Sequence, residues 1–237
     1  KSLGSPEKFN LLELGAGNGE MMKVIINTLK NFPEFFNNCV FLIHEKSELL
    51  TKKQQQNLKS ENVTWIKDLN KINSFPTIFI ANEFFDALPI KQFFKKKDGW
   101  VERYVDLKET KNAEFKEQSV DINQIEKSLK LAISKNQEMI EYSPNALAYL
   151  DNICQIIETC NGGILIIDYG YTNPKMRETL QAVNDHKFSD VLKNIGNSDI
   201  TYNINFNLFK KFIERFQNLN SIINNQKKFL TSMGILQ

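Results

Sequence analysis

Residues 11–20 read "LLELGAGNGE". The chain has only ten glycines, and Gly15, Gly17 and Gly19 all fall within this stretch. The run before them, "FNLLEL" (9–14), has the composition of a buried strand, and the run after, "EMMKVIINTLK" (20–30), carries apolar residues at helical spacing. Glycine between strand and helix permits positive φ and lets a ligand approach the backbone closely. The helix start beyond it offers free N–H groups and the positive end of a dipole.

Working outward, "CVFLIH" (39–44), "NVTWI" (62–66) and "TIFIA" (77–81) read as further strands, with a helix over "SELLTKKQQQNLK" (47–59) opened by Ser47. Continuous apolar runs separated by helices indicate a parallel sheet covered on both faces. The pattern changes at residue 90. "IKQFFKKKDGWVERYVDL" (90–107) alternates around Asp98-Gly99 as a β-hairpin does. Residues 108–142 are polar and predict a surface insertion with one amphipathic helix near "INQIEKSLKLAI". The α/β pattern resumes with a helix capped by Ser143-Pro144 and closed at Asn161-Gly162. "GILIID" (163–168) predicts the next buried strand, "DITYNI" (199–204) a later one, and "FNLFKKFIERF" (206–216) a helix. The reading is a single domain over 1–237 with an insertion at 90–142.

The glycine spacing is GxGxG, and Glu20 occupies the place of the third glycine in the dinucleotide fingerprint GxGxxG. A carboxylate there would repel a pyrophosphate. No Gly-Lys-Ser/Thr follows, which excludes a P-loop. A cofactor without phosphate fits better: S-adenosylmethionine brings a carboxylate, an ammonium, a sulfonium and a nucleoside. Glu13, ending the first strand, can face the ammonium or sulfonium. A tight turn with no ligand is the alternative. Glu45 follows the second strand, 30 residues after Gly15, the added length being "NFPEFFNN" (31–38). A carboxylate there either accepts from ribose hydroxyls or steadies the next helix's first turn. Asp68, after the third strand, either reaches the adenine amino group or lies in a surface loop.

In an open α/β sheet the ligand sits beyond the carboxyl ends of the strands, where strand order reverses. "IFIANEFFDALPIKQFF" (78–94) carries the fourth strand to that point and there presents Asn82, Glu83 and Asp86. Paired carboxylates suit a cationic acceptor such as arginine, which keeps its charge and presents a planar fork of donors. The competing reading has Asn82 and Asp86 capping a short turn before Pro89.

Bulk properties narrow the rest. A net charge of +2 implies neither nucleic acid nor an anionic membrane, and no apolar run approaches the ~20 residues of a membrane span. No signal peptide is visible. Three cysteines, odd in number and without a CxxC pair, suit a reduced intracellular protein. His44 and His186 have no second ligand at metal-like spacing, so no metal site is expected.

The segments "ELGAGNGE" (13–20), "ANEFFDALPIKQF" (81–93), "GWVERYVDL" (99–107), "GGILIIDYGY" (162–171), "ETLQAVNDHKFSDVL" (178–192), "GNSDITYNINF" (196–206) and "QKKFLTSMGI" (226–235) together resemble, in order, the MidA-like family of S-adenosylmethionine-dependent methyltransferases. The loop departs from that family's usual Gly-Pro-Gly-Arg-Gly at Ala16 and Asn18, and His44 stands where the family usually has valine. The resemblance implies a class I methyltransferase (Rossmann-like) doubly wound α/β sheet, with a β-hairpin and helix inserted after strand four. It implies cofactor contacts at Gly15, Gly17, Gly19 and Glu45 and an acceptor site at Asn82, Glu83 and Asp86. Asp168 and Tyr169 lie next along the rim, and His186 and Asp199 fall in later motifs. It also implies an arginine acceptor on a protein, with a respiratory complex I (NADH dehydrogenase) subunit as the partner, in a bacterial-type cytoplasm or the mitochondrial matrix. A non-catalytic assembly factor and a small-molecule methyltransferase are the alternatives. The glycine loop with its carboxylates favours an enzyme, and the long insertion favours a protein acceptor. Lys95 to Lys97 either steer an acidic partner face or protect a hairpin edge.

Overall fold

A computed structural model describes residues 4–107, 113–184, 187–193 and 195–235. Chain order runs β1 (Phe9–Leu14), α1 (Glu20–Leu29), α2 (Pro33–Phe36), β2 (Cys39–His44), α3 (Glu48–Asn57), β3 (Val63–Ile66) and, after a 3₁₀ turn at Leu69–Lys71, β4 (Thr77–Asn82). The inserted part is β5 (Lys91–Lys96), β6 (Gly99–Leu107), β7 (Ala113–Val120), α4 (Ile122–Leu129) and β8 (Met139–Tyr142). The chain then forms α5 (Pro144–Cys160), β9 (Gly162–Ile167), β10 (Gly170–Tyr171), β11 (Gln181–Asn184), β12 (Lys187–Ser189), β13 (Asp199–Thr201), β14 (Ile204–Asn205), α6 (Phe206–Ile213) and α7 (Gln226–Ser232).

The main sheet has the order β3-β2-β1-β4-β9, and every pairing in it is parallel. All six residues of β1 are buried, as a strand covered on both faces requires. Leu12, Leu14, Phe79 and Ala81 face α5, where Leu147, Leu150 and Ile153 complete the core. Leu11, Phe41 and Ile43 face Met22 and Ile26 of α1. Strand order reverses between β1 and β4, whose register sets Leu14 beside Ala81. The glycine loop and the Asn82–Asp86 segment therefore leave the sheet as neighbours.

Residues 90–142 depart from expectation. The hairpin forms, with Lys96 opposite Gly99, but the polar stretch after it contributes β7 and β8 as well as α4, giving a four-stranded antiparallel sheet β7-β6-β5-β8. β7 is an edge strand in which five of eight residues are polar, Glu114 and Lys116 to Ser119, so it shows no apolar alternation. β8 is four residues long and pairs with β5, some fifty positions earlier, as in Gln92 opposite Glu141. Phe93 and Ile140 join the same apolar cluster as Leu14 and Ala81.

"DITYNI" is likewise not one strand and does not enter the main sheet. Asp199–Thr201 pairs with β11, and Ile204–Asn205 pairs with β10. Between them the Tyr202 N–H donates to the Asp86 carbonyl (3.2 Å) and the Asn203 N–H to Thr179 Oγ1 (2.8 Å), which draws both out of a ladder. Among the described residues no helix is long and apolar enough to cross a membrane.

Both helix caps read from sequence form: Ser47 accepts from the Leu50 N–H and Ser143 from the Ala146 N–H. Ser143 is buried and also meets the Tyr202 hydroxyl. Ser143→Ala is expected to destabilise the protein by about 1–2 kcal/mol, read as a lower urea midpoint with unchanged slope. An unchanged midpoint would remove this cap from the structural account.

Candidate active site

The glycine loop turns on positive φ at Gly15 (62°), Gly17 (54°) and Gly19 (85°). Gly15 donates its N–H to the His44 carbonyl (3.0 Å), and Gly19 to that of Ala16 (2.7 Å). The three glycines differ in surroundings. A Cβ on Gly15 would lie 2.7 Å from the Phe84 ring, and one on Gly19 would lie 3.1 Å from Leu58, whereas one on Gly17 would meet nothing within 4 Å. Gly15 thus admits the neighbouring loop, and Gly17 borders open space.

Helix α1 has no side-chain cap at Gly19. The Met22 N–H in its first turn is taken instead by Glu13, reaching over from β1. Glu13 is buried, and its Oε2 finds no hydrogen-bond partner among the described residues. Burial raises its carboxyl to about 7, the Met22 N–H opposing the rise. A buried acceptor lacking a donor, beside uncapped N–H groups and open space at Gly17, has the donor deficit that an ammonium-bearing ligand would fill.

Glu45 accepts from the Ser47 N–H through Oε1 (2.8 Å) and from Gln54 Nε2 through Oε2 (3.1 Å). Each oxygen keeps a lone pair for a ribose hydroxyl. Gln54, fully buried, also donates to the Gly17 carbonyl (2.9 Å) and accepts from the Trp65 indole N–H (2.9 Å). One amide therefore ties the glycine loop, Glu45 and β3 together. Sequence reading missed Gln54, because nothing in "KKQQQN" separates it from Gln55 and Gln56. Asp68 caps the 3₁₀ turn, its Oδ1 accepting from the Asn70 backbone and side chain (3.0 and 3.1 Å).

At the end of β4, Asn82 lies opposite Ile167. Glu83 is exposed and holds φ 46°, a costly conformation for a residue with a Cβ, fixed by its N–H on the Ile167 carbonyl (2.9 Å). Asp86 is only 5% exposed, and its Oδ1 has no partner among the described residues. Asp168, after β9, organises this loop from behind. Its Oδ2 accepts from the Phe85 and Asp86 N–H groups (3.0 and 3.3 Å) and its Oδ1 from that of Tyr169 (2.8 Å). Burial, then the Asp86 charge, pushes the Asp168 carboxyl up to about 7. Asp86 is raised as well, by burial and then by Glu83. The fold brings Asn82, Glu83, Asp86 and Asp168 onto one rim. Asp199 belongs to β13, opposite Val183, and His186 lies outside the described residues.

An aromatic bridge joins the two loops. Phe84 packs edge-on against Phe85 and Tyr149, and the Tyr149 hydroxyl meets His44 Nε2 at 2.9 Å. Burial lowers the His44 pKa, so the ring is neutral at physiological pH. Of the hairpin lysines, Lys95 pairs with Glu138 (3.7 Å) and Lys96 with Glu117 (2.9 Å), both within the inserted sheet.

With this geometry in place, comparison with known proteins is informative. A family model for S-adenosyl-L-methionine-dependent methyltransferases matches residues 1–223. The chain is 26% identical over 258 residues to the mitochondrial protein arginine methyltransferase NDUFAF7 of Xenopus tropicalis, covering 99% of this chain and 60% of that protein. It is 28% identical over 260 residues to the Caenorhabditis elegans homolog (98% and 59%), and 26% identical over 270 residues to the human protein (98% and 57%). The chain thus spans about three-fifths of the length of these curated relatives. Two solved structures from Burkholderia thailandensis share the fold at 19% identity. One has a TM-score of 0.73, covering 91% of this chain and 60% of that one. The other, bound to S-adenosyl-homocysteine, has a TM-score of 0.70 and covers 91% and 58%. The fold is the doubly wound class I methyltransferase sheet.

The raised carboxyls carry a pH signature. Folded Glu13 and Asp168 keep a proton up to about pH 7 that the unfolded chain gives up near pH ~4. Their contribution to the stability of the ligand-free protein is therefore full below that value and is lost as pH rises through about 7, on the order of 3 kcal/mol for Glu13. Urea unfolding between pH 5 and 8 is expected to show this decline, and Glu13→Gln to flatten it. The same slope in the variant would show that Glu13 titrates normally.

Proposed function

This chain belongs to the S-adenosyl-L-methionine-dependent methyltransferase family, and we propose that its acceptor is an arginine side chain of a protein. The observation that carries this reading is the buried Asp86 carboxylate oxygen beside Glu83, without a partner among the described residues, on a loop that packs against the glycine loop. A carboxylate pair with one buried oxygen that has no donor among the described residues is the complement of a guanidinium, which has five donors and no acceptor. The names of the curated relatives, protein arginine methyltransferases, support the same acceptor.

Gly15, Gly17, Gly19, Glu13 and Glu45 would hold the cofactor, with Asp68 at the adenine end. When bound, the cofactor supplies an electrophilic methyl group. The chain's residues do the rest. Glu83 and Asp86 hold the guanidinium so that one nitrogen faces the methyl, because methyl transfer is an in-line displacement governed by orientation. The nitrogen that gains the methyl loses a proton, which a carboxylate takes and passes to solvent. Asn82 offers an amide to the same nitrogen or its neighbour. Asp168 keeps the loop in place through the N–H groups it accepts.

The partner in this reading is a complex I subunit in the mitochondrial matrix, in place of the cytoplasm; the relatives' names, which call them mitochondrial, support that organelle. Methylation preserves the arginine charge while removing donors, which tunes an ion pair before it is buried in an assembly. Lys95 and Lys96 pair within the inserted segment, which argues against a steering patch, and they sit on β5, a strand paired on both sides and so not an edge to protect.

Incubating the protein with isotope-labelled S-adenosyl-L-methionine and a host extract is expected to yield labelled methylarginine by peptide mass spectrometry. Asp86→Asn and Glu83→Gln keep shape and remove charge. Each is expected to cost ~2–5 kcal/mol in transition-state binding while S-adenosyl-homocysteine affinity holds. Wild-type turnover in both would reduce these residues to turn formers. Gly17→Val is expected to abolish S-adenosyl-homocysteine binding in calorimetry, since a side chain there enters the open space beside the loop; the positive φ of 54° adds a backbone cost of about 1–3 kcal/mol, so a urea midpoint is measured alongside to separate lost binding from lost stability. Normal binding would place the cofactor elsewhere.

A further inference from the structure

Beneath the Asp86 loop lies a cavity of about 200 Å³. One wall is the loop itself, through Leu88, Pro89 and Ile90, and the other is Leu180, just before β11, and Ile200, within β13. Asp86 is the charged residue in the lining. Its side chain is more than nine-tenths buried, and Oδ1 has no donor among the described residues. Thr201 and Tyr202 also line it. A largely apolar cavity bordered by one carboxylate residue matches a ligand with an aliphatic stem and a cationic head.

Both walls are anchored at this residue. The Tyr202 N–H, next in chain to β13, donates to the Asp86 carbonyl (3.2 Å), and Asp168 holds the Asp86 N–H from the other side. Phe84, two residues earlier, lies against Gly15. Two residues of extended chain span at most ~7 Å, so the Asp86 backbone stays within that reach of Phe84, whose ring touches the cofactor loop. Ile200 is 43% exposed and marks an opening to solvent.

We propose that this cavity is the acceptor channel, which takes the aliphatic stem of the target arginine between Leu88, Ile90, Leu180 and Ile200 and delivers its guanidinium to Asp86. The inference rests on the arginine reading above and adds the residues that set specificity. A protein acceptor suits it, because the stem enters from the surface and the peptide backbone stays outside.

The probe is 1-pentylguanidine, with pentylamine and 1-pentanol as controls, observed by saturation-transfer NMR. Wild-type protein is expected to transfer saturation to the pentylguanidine methylenes and not to pentanol. Leu180→Trp and Ile200→Trp fill the channel from two walls. Each is expected to weaken pentylguanidine binding by about tenfold or more and to raise the KM for protein acceptors, with S-adenosyl-homocysteine affinity unchanged as the check on folding. Ile200, at the rim, tolerates bulk if Leu180 does not. Wild-type pentylguanidine binding in both variants overturns the proposal, even if their activity on proteins falls, since the cavity would then hold a residue flanking the arginine. Equal binding of pentanol overturns it too. A wild-type protein that makes no methylarginine defeats the arginine reaction, and the NMR arm then decides the channel alone: bound pentylguanidine upholds it and none overturns it.

Discussion

The ring of Phe84 occupies the space that a side chain at Gly15 would need. That contact places the glycine loop and the Asn82–Asp86 loop against each other, and the site depends on it. It exists because β1 and β4 are neighbours with Leu14 beside Ala81, so that Gly15 and Asn82 leave the sheet together. The register is held in turn by burial on both faces. A slip of one residue would turn Leu12 and Leu14 away from α5 and carry Glu13 into the core beneath it. Tyr149 extends the contact, packing on Phe84 while its hydroxyl reaches His44 at the end of β2. Three strand ends are thereby fixed through one chain of rings.

The protein spends stability at this rim. Glu13, Asp86 and Asp168 are carboxyls raised by burial, and two of them have an oxygen with no donor among the described residues. Apolar replacements would remove those desolvation costs. The three acids differ in what compensates them. Asp168 accepts three backbone N–H groups, so it acts as a structural fixture of the loop. Glu13 takes one helix N–H and leaves one oxygen open. Asp86 leaves one open beside a cavity. In the proposed reading the open oxygens are where ligands would supply the missing donors, and the satisfied ones are scaffold.

Legibility in the sequence follows the range of the interactions. The strand, glycine loop and helix of residues 9–30 are consecutive, and their periodicities change at the glycines, so they could be read directly. Ser47 and Ser143 act within three residues and were equally plain. Gln54 was not, because its role depends on which helical face meets Gly17 and Trp65. β8 was hidden because its partner is β5, and "DITYNI" looked continuous because its interruption is imposed by Asp86 and Thr179, distant in sequence. The polar end of β4 was visible as a break in an apolar run. Asp168 was visible only as a rim residue, since its work is to accept N–H groups from a loop more than eighty positions away.

Glu141 shows how the inserted sheet serves the site. It is 3% exposed, on β8, and accepts from Gln92 Nε2 on β5 (2.7 Å) and from both the N–H and hydroxyl of Thr179. Thr179 Oγ1 in turn accepts from the Asn203 N–H. One buried carboxylate thus links the insertion to the residues just before Leu180 and just after Tyr202, which form the far wall of the cavity. It is held by donors from two separate segments, Gln92 and Thr179, so moving either leaves a buried acceptor unsatisfied. The chain leaves the main sheet after Asn82 and rejoins the α/β layers at Ser143, the cap of α5, and the residues between are what bring Glu141 to this position. The insertion therefore does more than decorate the surface: it holds the wall that faces Asp86.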